Sequence, residues 1–277
     1  MLITNEHKDG DLAFSKQIVS YIKARGGTAG ICVSGNEGGE GRDFDLSEIP
    51  ADTECILVLG GDGTLIRAAT RVESLHIPLI GVNLGTLGYL CELEESTVFS
   101  GIDSLFADEY MVEDRVVLKG QKAGQEIFYP ALNDVIIHWE GKLSIVQLSV
   151  KVNGEFLATY HADGVIVATP TGSTGYSMSA GGPIVDPKAH ILLMTPINAH
   201  DLNSQSIVLG AEAVVEITMG SRRYQKDERA GVSFDGDTKF HLAAGESVRI
   251  EQSPEVIKIC RISNQSFLET LRKKMKN

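Results

Sequence analysis

The pentapeptide Gly60-Gly61-Asp62-Gly63-Thr64 stands between an apolar run, Cys55-Ile56-Leu57-Val58-Leu59, and apolar residues at helical spacing from Leu65 onward. Glycines let a backbone approach a ligand and tolerate positive φ, so successive amide N–H groups can turn toward phosphate oxygens at the positive end of a helix. A carboxylate in such a loop would repel phosphate unless it had work of its own. Asp62 can take a proton from a nucleophilic hydroxyl, or hold a Mg²⁺ ion that neutralises the anion. The plainer reading is a helix cap or a tight-turn carboxylate. A longer stretch, Asp163-Gly164-Val165-Ile166-Val167-Ala168-Thr169-Pro170-Thr171-Gly172-Ser173-Thr174-Gly175-Tyr176, delivers a buried strand to a loop dense in hydroxyls and glycines. Its backbone, Thr and Ser groups can satisfy the polar edge of a purine while an aromatic ring stacks on its face. Tyr176 and Tyr89 are the candidate rings, and each also reads as an ordinary core aromatic with a satisfied hydroxyl.

The elements that must position these residues change character along the chain. Leu12, Phe14, Ile18, Val19 and Ile22 suit one face of a helix that Gly26-Gly27 stops, Ala29 to Val33 reads as a short strand, and 34–41 has the composition of an exposed loop. A strand at Glu54 to Leu59, a helix from about Leu65 to Leu75 and a strand at Pro78 to Val82 form the strand–helix–strand unit of a parallel sheet. After Arg115 strands dominate, at Val116 to Lys119, Asn133 to Trp139, Leu143 to Val152 and Glu155 to His161, with Asn153-Gly154 marking a type I′ hairpin. A last helix, Phe267 to Lys276, ends in Arg272, Lys273, Lys274 and Lys276, which we read as a solvated end complementing the helix dipole rather than an anion-binding tail.

Bulk properties bound the function. At 277 residues the chain is long enough for two domains and a sizeable core. Thirty-seven acidic against twenty-five basic residues, a net charge of −12, argue against a nucleic-acid partner, so an anionic ligand would need local help. Cys32, Cys55, Cys91 and Cys260 are scattered without zinc-site spacing, Cys55 reading as a small buried hydrophobe. With no signal-like apolar stretch at the start and no membrane-length run, the expectation is a cytoplasmic protein with no membrane partner.

The pentapeptide resembles the phosphate loop shared by NAD kinases, diacylglycerol and sphingosine kinases, and phosphofructokinases. Three further stretches resemble NAD kinase in order and spacing: Gly81-Val82-Asn83-Leu84-Gly85-Thr86-Leu87-Gly88-Tyr89-Leu90, Ala131-Leu132-Asn133-Asp134-Val135, and the loop from Asp163, which continues to Pro187. The resemblance covers roughly Leu57 to Val208. It implies transfer of a phosphoryl group from ATP, another nucleoside triphosphate or polyphosphate to the 2′-hydroxyl of the adenosine ribose of NAD, with Mg²⁺. A lipid kinase of the diacylglycerol or sphingosine type and a non-catalytic NAD(P) sensor are the alternatives.

By the same resemblance Asp62 is the catalytic carboxylate, within a phosphate loop that includes Gly61, Gly63 and Thr64. Asn133 and Asp134 bind the dinucleotide, the amide on the adenine edge and the carboxylate on ribose hydroxyls. Asp163 stands on the nicotinamide-ribose side, Thr171, Thr174, Gly175, Tyr176 and Ser179 fall at adenine-pocket positions, and Tyr89 is a further contact. Departures accompany this match: His161 stands where relatives carry Arg, Gly175 where they usually have Ala, and Gln205-Ser206 where Arg-Pro is usual. His161 reads equally as a pH-sensitive phosphate contact and as a strand-end histidine. The implied fold is an α/β N-terminal domain with a Rossmann-like parallel sheet, 1–112, and a β-rich NAD-binding domain, 113–252, with substrate in the cleft between them. Residues 253–277 form a segment returning to the first domain, and the assembly implied is a homodimer or homotetramer.

Overall fold

The computed structural model describes residues 1–34, 44–85, 88–140, 145–200, 205–221, 229–263 and 265–275. Most of the loop expected at 34–41, the stretch 201–204 and Lys276 lie outside the described residues. The chain forms two compact units, Met1–Asp114 with Ile257–Asn277, and Arg115–Val256.

The first unit opens with β1 (Leu2–Asn5), α1 (Ala13–Ala24), β2 (Ile31–Ser34), β3 (Ile56–Gly60), α2 (Asp62–Arg71), β4 (Leu79–Asn83), β5 (Leu93–Glu94) and α3 (Val98–Phe106). Its strands are parallel in the order β4-β3-β1-β2, with β5 alongside β4. Every residue of β3 and β4 is buried, as both faces of a parallel sheet require. Ile18 and Ile22 of α1 and Val98 and Ile102 of α3 pack with Leu2, Leu57, Leu59, Ile80 and Val82. Gly26, at φ +85, ends α1 as expected. The helix predicted from Leu65 begins earlier, at Asp62, so the second half of the glycine loop is already its first turn.

The second unit holds β6 (Met111–Lys122, from Arg115), β7 (Tyr129–Ala131), β8 (Asp134–Trp139), β9 (Val146–Val152), β10 (Glu155–Ala162), β11 (Gly164–Ala168) and the short helix α4 (Tyr176–Ser179). It continues with β12 (Ile191–Ile197), β13 (Ile207–Gly210), β14 (Val215–Met219), β15 (Arg229–Phe234) and β16 (Asp237–Ala243). Next comes β17 (Ser247–Arg261), whose last residues, from Ile257, belong to the first unit together with α5 (Phe267–Lys274). An antiparallel sheet β10-β9-β14-β17 faces a six-stranded antiparallel sheet β13-β12-β11-β8-β15-β16 across one core. Alternate residues of β9 and β14, among them Val146, Leu148, Val150, Val215 and Ile217, enter that core, meeting Val135, Ile137, Val165 and Val167 from the other sheet. The intervening residues Ile136, Ile166 and Ala168 lie on the opposite face of the second sheet, where Ala180 and Val185 cover them. The chain that follows the hydroxyl-rich loop is therefore bound to this face by apolar contact. Asn153 (φ 52) and Gly154 (φ 82) take the two positive φ values of the predicted hairpin turn between β9 and β10.

Within the first unit, β17 lies parallel to β4 through Ile259 and Leu79. Arg261 pairs with Glu92 at 2.8 Å, their side chains 13% and 2% exposed. Glu92 also accepts the N–H groups of Ile262 and Ser263. α5 then starts on a capping box between Ser266 and Glu269. Removing one partner of a buried ion pair leaves the other charge uncompensated, so Glu92→Ala is expected to cost about 3 kcal/mol in urea unfolding. A loss below about 1 kcal/mol would show that this pair does not hold the last strand in place.

Candidate functional site

The first cluster gathers at the carboxyl ends of parallel strands, the usual ligand end of such sheets. β3 runs into Gly61, whose extended backbone (φ −135, ψ −173) precedes α2. None of Gly60, Gly61 and Gly63 has positive φ, contrary to the expectation for a glycine loop. Glycine is required there for space: a β-carbon at Gly60 would overlap the Thr64 side chain. Thr64 is itself buried with its side chain against Gly60, so what it offers a ligand is its backbone.

Asp62 does not cap α2, whose N-cap is Gly61 with no side-chain cap bond. Its carboxylate reaches instead across to the segment after β4. Oδ2 accepts the Tyr89 N–H at 2.6 Å, and Oδ1 accepts those of Leu90 and Cys91 at 3.2 and 3.3 Å. A β-carbon on Gly88 would stand inside that carboxylate, so the chain can pass only because residue 88 has none. Burial, and then the charge of Asp62 beside it, push the Cys91 thiol far above the ordinary range. The Tyr89 ring carries the Lys274 ammonium 4.4 Å from its centroid. The basic end of the last helix, read from sequence as solvated, is thus in part built into this cluster.

The second cluster lies in the other unit, on the strand ends of the six-stranded sheet. Asn133 precedes β8, and its carbonyl accepts the Thr169 N–H at 2.8 Å while Thr169 Oγ1 donates to the Leu132 carbonyl at 2.6 Å. These bonds set the hydroxyl-rich loop against the Asn133 turn. Thr171 to Thr174 form a 3₁₀ turn in which Thr171 is buried, and Gly175 bonds back to the Gly172 carbonyl. A β-carbon at Gly175 would lie 3.6 Å from Asn133 Nδ2 and 3.3 Å from the Gly172 oxygen. An alanine there would thus be a near contact, and glycine leaves the Asn133 amide more open. Asn133 Oδ1 is buried with no hydrogen-bond partner among the described residues, a vacancy that a ligand amine can fill.

Asp163 and Tyr176 line one cavity of about 410 Å³ with His138, Trp139, Asn198, Ser233 and Gly236. Asn198 Nδ2 donates to Asp163 at 2.9 Å. The Tyr176 ring is 47% exposed, a stacking surface rather than a core aromatic. Ser179 is exposed one helical turn on. His161 is exposed near the end of β10, where its carbonyl accepts the His200 N–H, and it does not line this cavity.

Asp235 was not legible as a site residue. It sits with Gly236 at the tip of the β15–β16 hairpin, both at positive φ, and its carboxylate accepts the N–H groups of Leu132 (2.8 Å), Asn133 (2.7 Å) and Asp134 (3.1 Å). It therefore holds the turn that presents Asn133 and Asp134. Burial first, and then the Asp235 charge, push the buried Asp134 carboxyl up to about 7. Burial also raises Asp235, to about 6, against the three amides that favour its charge.

A parallel α/β unit with a carboxylate inside a glycine loop at its ligand end, together with a β-rich unit whose hydroxyl-rich loop is set against an open Asn133 amide, defines a nucleotide-handling kinase architecture. The sequence places it further. The ATP-NAD kinase N-terminal domain matches residues 1–110 and the ATP-NAD kinase C-terminal domain residues 132–262. The NAD kinase of Agathobacter rectalis is 60% identical over 277 residues, 100% of this chain and 98% of that protein. That of Lachnoclostridium phytofermentans is 40% identical over 278 residues, 99% and 97%. Yeast NADH kinase complexed with NADH shares the fold at a TM-score of 0.85 and 22% identity, covering 99% of this chain and 86% of that one. An NAD kinase from Archaeoglobus fulgidus in complex with ATP does so at 0.76 and 22%, covering 99% and 98%. The chain belongs to the NAD kinase family, which sets aside the lipid-kinase alternative. No helix among the described residues is long and apolar enough to cross a membrane.

The Asp134 carboxyl generates a pH prediction. Its folded pKa, about 7, lies above the ordinary 3.8, so the folded state binds the proton more tightly than the unfolded chain. Its stabilising contribution is full below the ordinary range and is lost as pH rises through about 7. The melting temperature should fall between pH 5 and 8, and Asp134→Asn, which removes the buried charge, should flatten that fall and melt higher than the parent at pH 8. Parallel pH–melting curves for the two proteins would refute the assignment.

Proposed function

We propose that this chain transfers the terminal phosphoryl group of ATP to the 2′-hydroxyl of the adenosine ribose of NAD, giving NADP. The observation that carries the proposal is the Asp62 carboxylate, fixed by the Tyr89, Leu90 and Cys91 amides beside a helix start that suits phosphate. Phosphoryl transfer asks a protein for positioning and charge stabilisation rather than covalent chemistry. The backbone N–H groups at Gly61 to Thr64 face the donor phosphates, aided by the α2 dipole. Asp62 orients the ribose 2′-hydroxyl and takes its proton as the oxygen bonds to the γ-phosphorus and the bond to the ADP oxygen breaks; the proton then passes from Asp62 to solvent as ADP and NADP depart. Its own hydrogen bonds hold it still, so little reorganisation accompanies the step.

In the other unit, Asn133 accepts the adenine amine on its unpartnered oxygen, Tyr176 stacks on the base, and Thr171, Thr174, Gly175 and Ser179 surround it. Asp134 takes the ribose hydroxyls. Asp163, with Asn198, meets the nicotinamide ribose in the cavity that also holds His138. His161 and Gln205 bring no permanent charge to positions where relatives carry arginine, so phosphate recognition falls to other groups.

Among the described residues no three His, Cys, Asp or Glu side chains gather as a metal-binding group. Magnesium carried on the phosphates of ATP needs at most one or two protein carboxylates. The phosphates themselves would hold the ion, which would neutralise the donor's charge while Asp62 serves as the base.

Purified protein with NAD, ATP and Mg²⁺ should yield NADP, read by an NADP-specific dehydrogenase; no product would leave the non-catalytic sensor reading standing. Asp62→Asn should keep NAD binding and lower turnover about 10²- to 10⁴-fold, the worth of a general base. Gly88→Ala, which touches no substrate in this reading but displaces the same carboxylate, should lower turnover in the same direction. Near parental turnover in both would remove Asp62 from the mechanism.

A further inference from the structure

A cation that the motifs did not single out stands at the phosphate loop. The strand order β4-β3-β1-β2 reverses direction between β1 and β3, and in open parallel sheets ligands bind just beyond the carboxyl ends at such a switch point. Lys8 follows β1 there, as Gly61 follows β3 and Gly85 follows β4. Its ammonium lies 3.1 Å from where a β-carbon on Gly61 would stand and 3.7 Å from the equivalent point on Gly85. The two glycines thus leave open the space that Lys8 Nζ overlooks.

The Lys8 backbone is anchored independently of any ligand. Its N–H, and that of Asp9, bond to the Asn5 carbonyl at 3.0 and 3.1 Å. The buried Asp9 carboxylate accepts the Phe14 and Ser15 N–H groups and the Ser15 hydroxyl, at 2.8, 2.9 and 2.5 Å, tying the turn to α1. Among the described residues the Lys8 ammonium makes no ion pair. It acts by charge on the Cys91 thiol, as does that of Lys274, which places both cations around the segment that Asp62 clasps. An exposed lysine whose backbone is fixed in a bonded turn and whose ammonium faces two glycine backbones is placed to meet an anion.

We propose that Lys8 is the principal cation for the donor polyphosphate, binding its oxygens over Gly61 and Gly85, with Lys274 as a second contributor from the Tyr89 ring. The inference rests on the kinase reading.

The test uses the full-length protein with Lys8→Gln, which keeps side-chain length, and Lys8→Arg, which keeps charge. Rates are measured with ATP varied at saturating NAD and the reverse, and binding of inorganic tripolyphosphate by calorimetry. Lys8→Gln should raise the KM for ATP and the Kd for tripolyphosphate about ten-fold or more, the worth of one charge-assisted contact. It should move the KM for NAD less than about two-fold and make the salt dependence of ATP binding shallower. Lys8→Arg should restore most of the loss. Unchanged ATP and tripolyphosphate constants in Lys8→Gln overturn the proposal, as does an equal rise in both substrates' KM with a lowered melting temperature. If the parent protein makes no NADP yet loses tripolyphosphate binding on Lys8→Gln, the kinase reading fails and the Lys8 site stands.

Discussion

The first unit's site depends on one interaction, the grip of the Asp62 carboxylate on the amides of Tyr89, Leu90 and Cys91. It joins the segment that follows β3 to the segment that follows β4 through charge-assisted bonds, which are roughly twice as strong as neutral ones. Several sequence choices answer to it. Residue 88 can have no side chain, because the carboxylate occupies that volume, and Gly60 must make room for a Thr64 side chain turned inward under the loop. The cap of α2 passes to Gly61, because the acid in the helix's first turn is engaged elsewhere. A carboxylate whose orientation is already settled gains nothing by searching for a partner when a hydroxyl arrives, and that is the form a general base needs.

The second unit solves a similar problem with a different cost. Asp235, at a hairpin tip, holds the turn carrying Asn133 and Asp134 by three backbone amides, and this sets two carboxylates against each other in a buried place. The amides favour the charge on Asp235, so the proton falls to Asp134. An acid held partly protonated near neutrality can donate to, as well as accept from, a sugar hydroxyl pair. The arrangement stabilises the folded chain less as pH rises, a cost of the kind binding sites carry when a ligand, rather than the fold, sets which groups must be buried.

Much of the scaffold was legible because it obeys local rules. The uninterrupted apolar runs of β3 and β4, the helical spacing of α1, the Asn153-Gly154 turn and the amphipathic last helix each announce themselves within a dozen residues. What escaped depends on distant partners. β1 is four residues long and sits at the very start, so it offers no period to read, yet all four are buried because β2 and β3 flank it. Lys8 looks like one more polar residue until β1 is placed beside β3. Asp235-Gly236 reads as a turn and nothing else until that turn meets residues 132–134. The glycines of the phosphate loop owe their place to space rather than to φ: their conformations are open to any residue, and it is the inward Thr64 side chain that excludes a β-carbon at Gly60.

Net charge and local charge therefore have to be argued separately here. A chain at −12 should repel a triphosphate at long range, but at about 0.15 M salt that field is screened beyond roughly 8 Å, and recognition is decided by the groups within a contact or two of the anion. Oriented amides at the start of α2 supply part of that local field without adding a formal charge, and nearby cations supply the rest. Lys8 can contribute there because the Asn5 carbonyl and the Asp9 turn fix its backbone, so that only its side chain remains to be ordered when an anion binds.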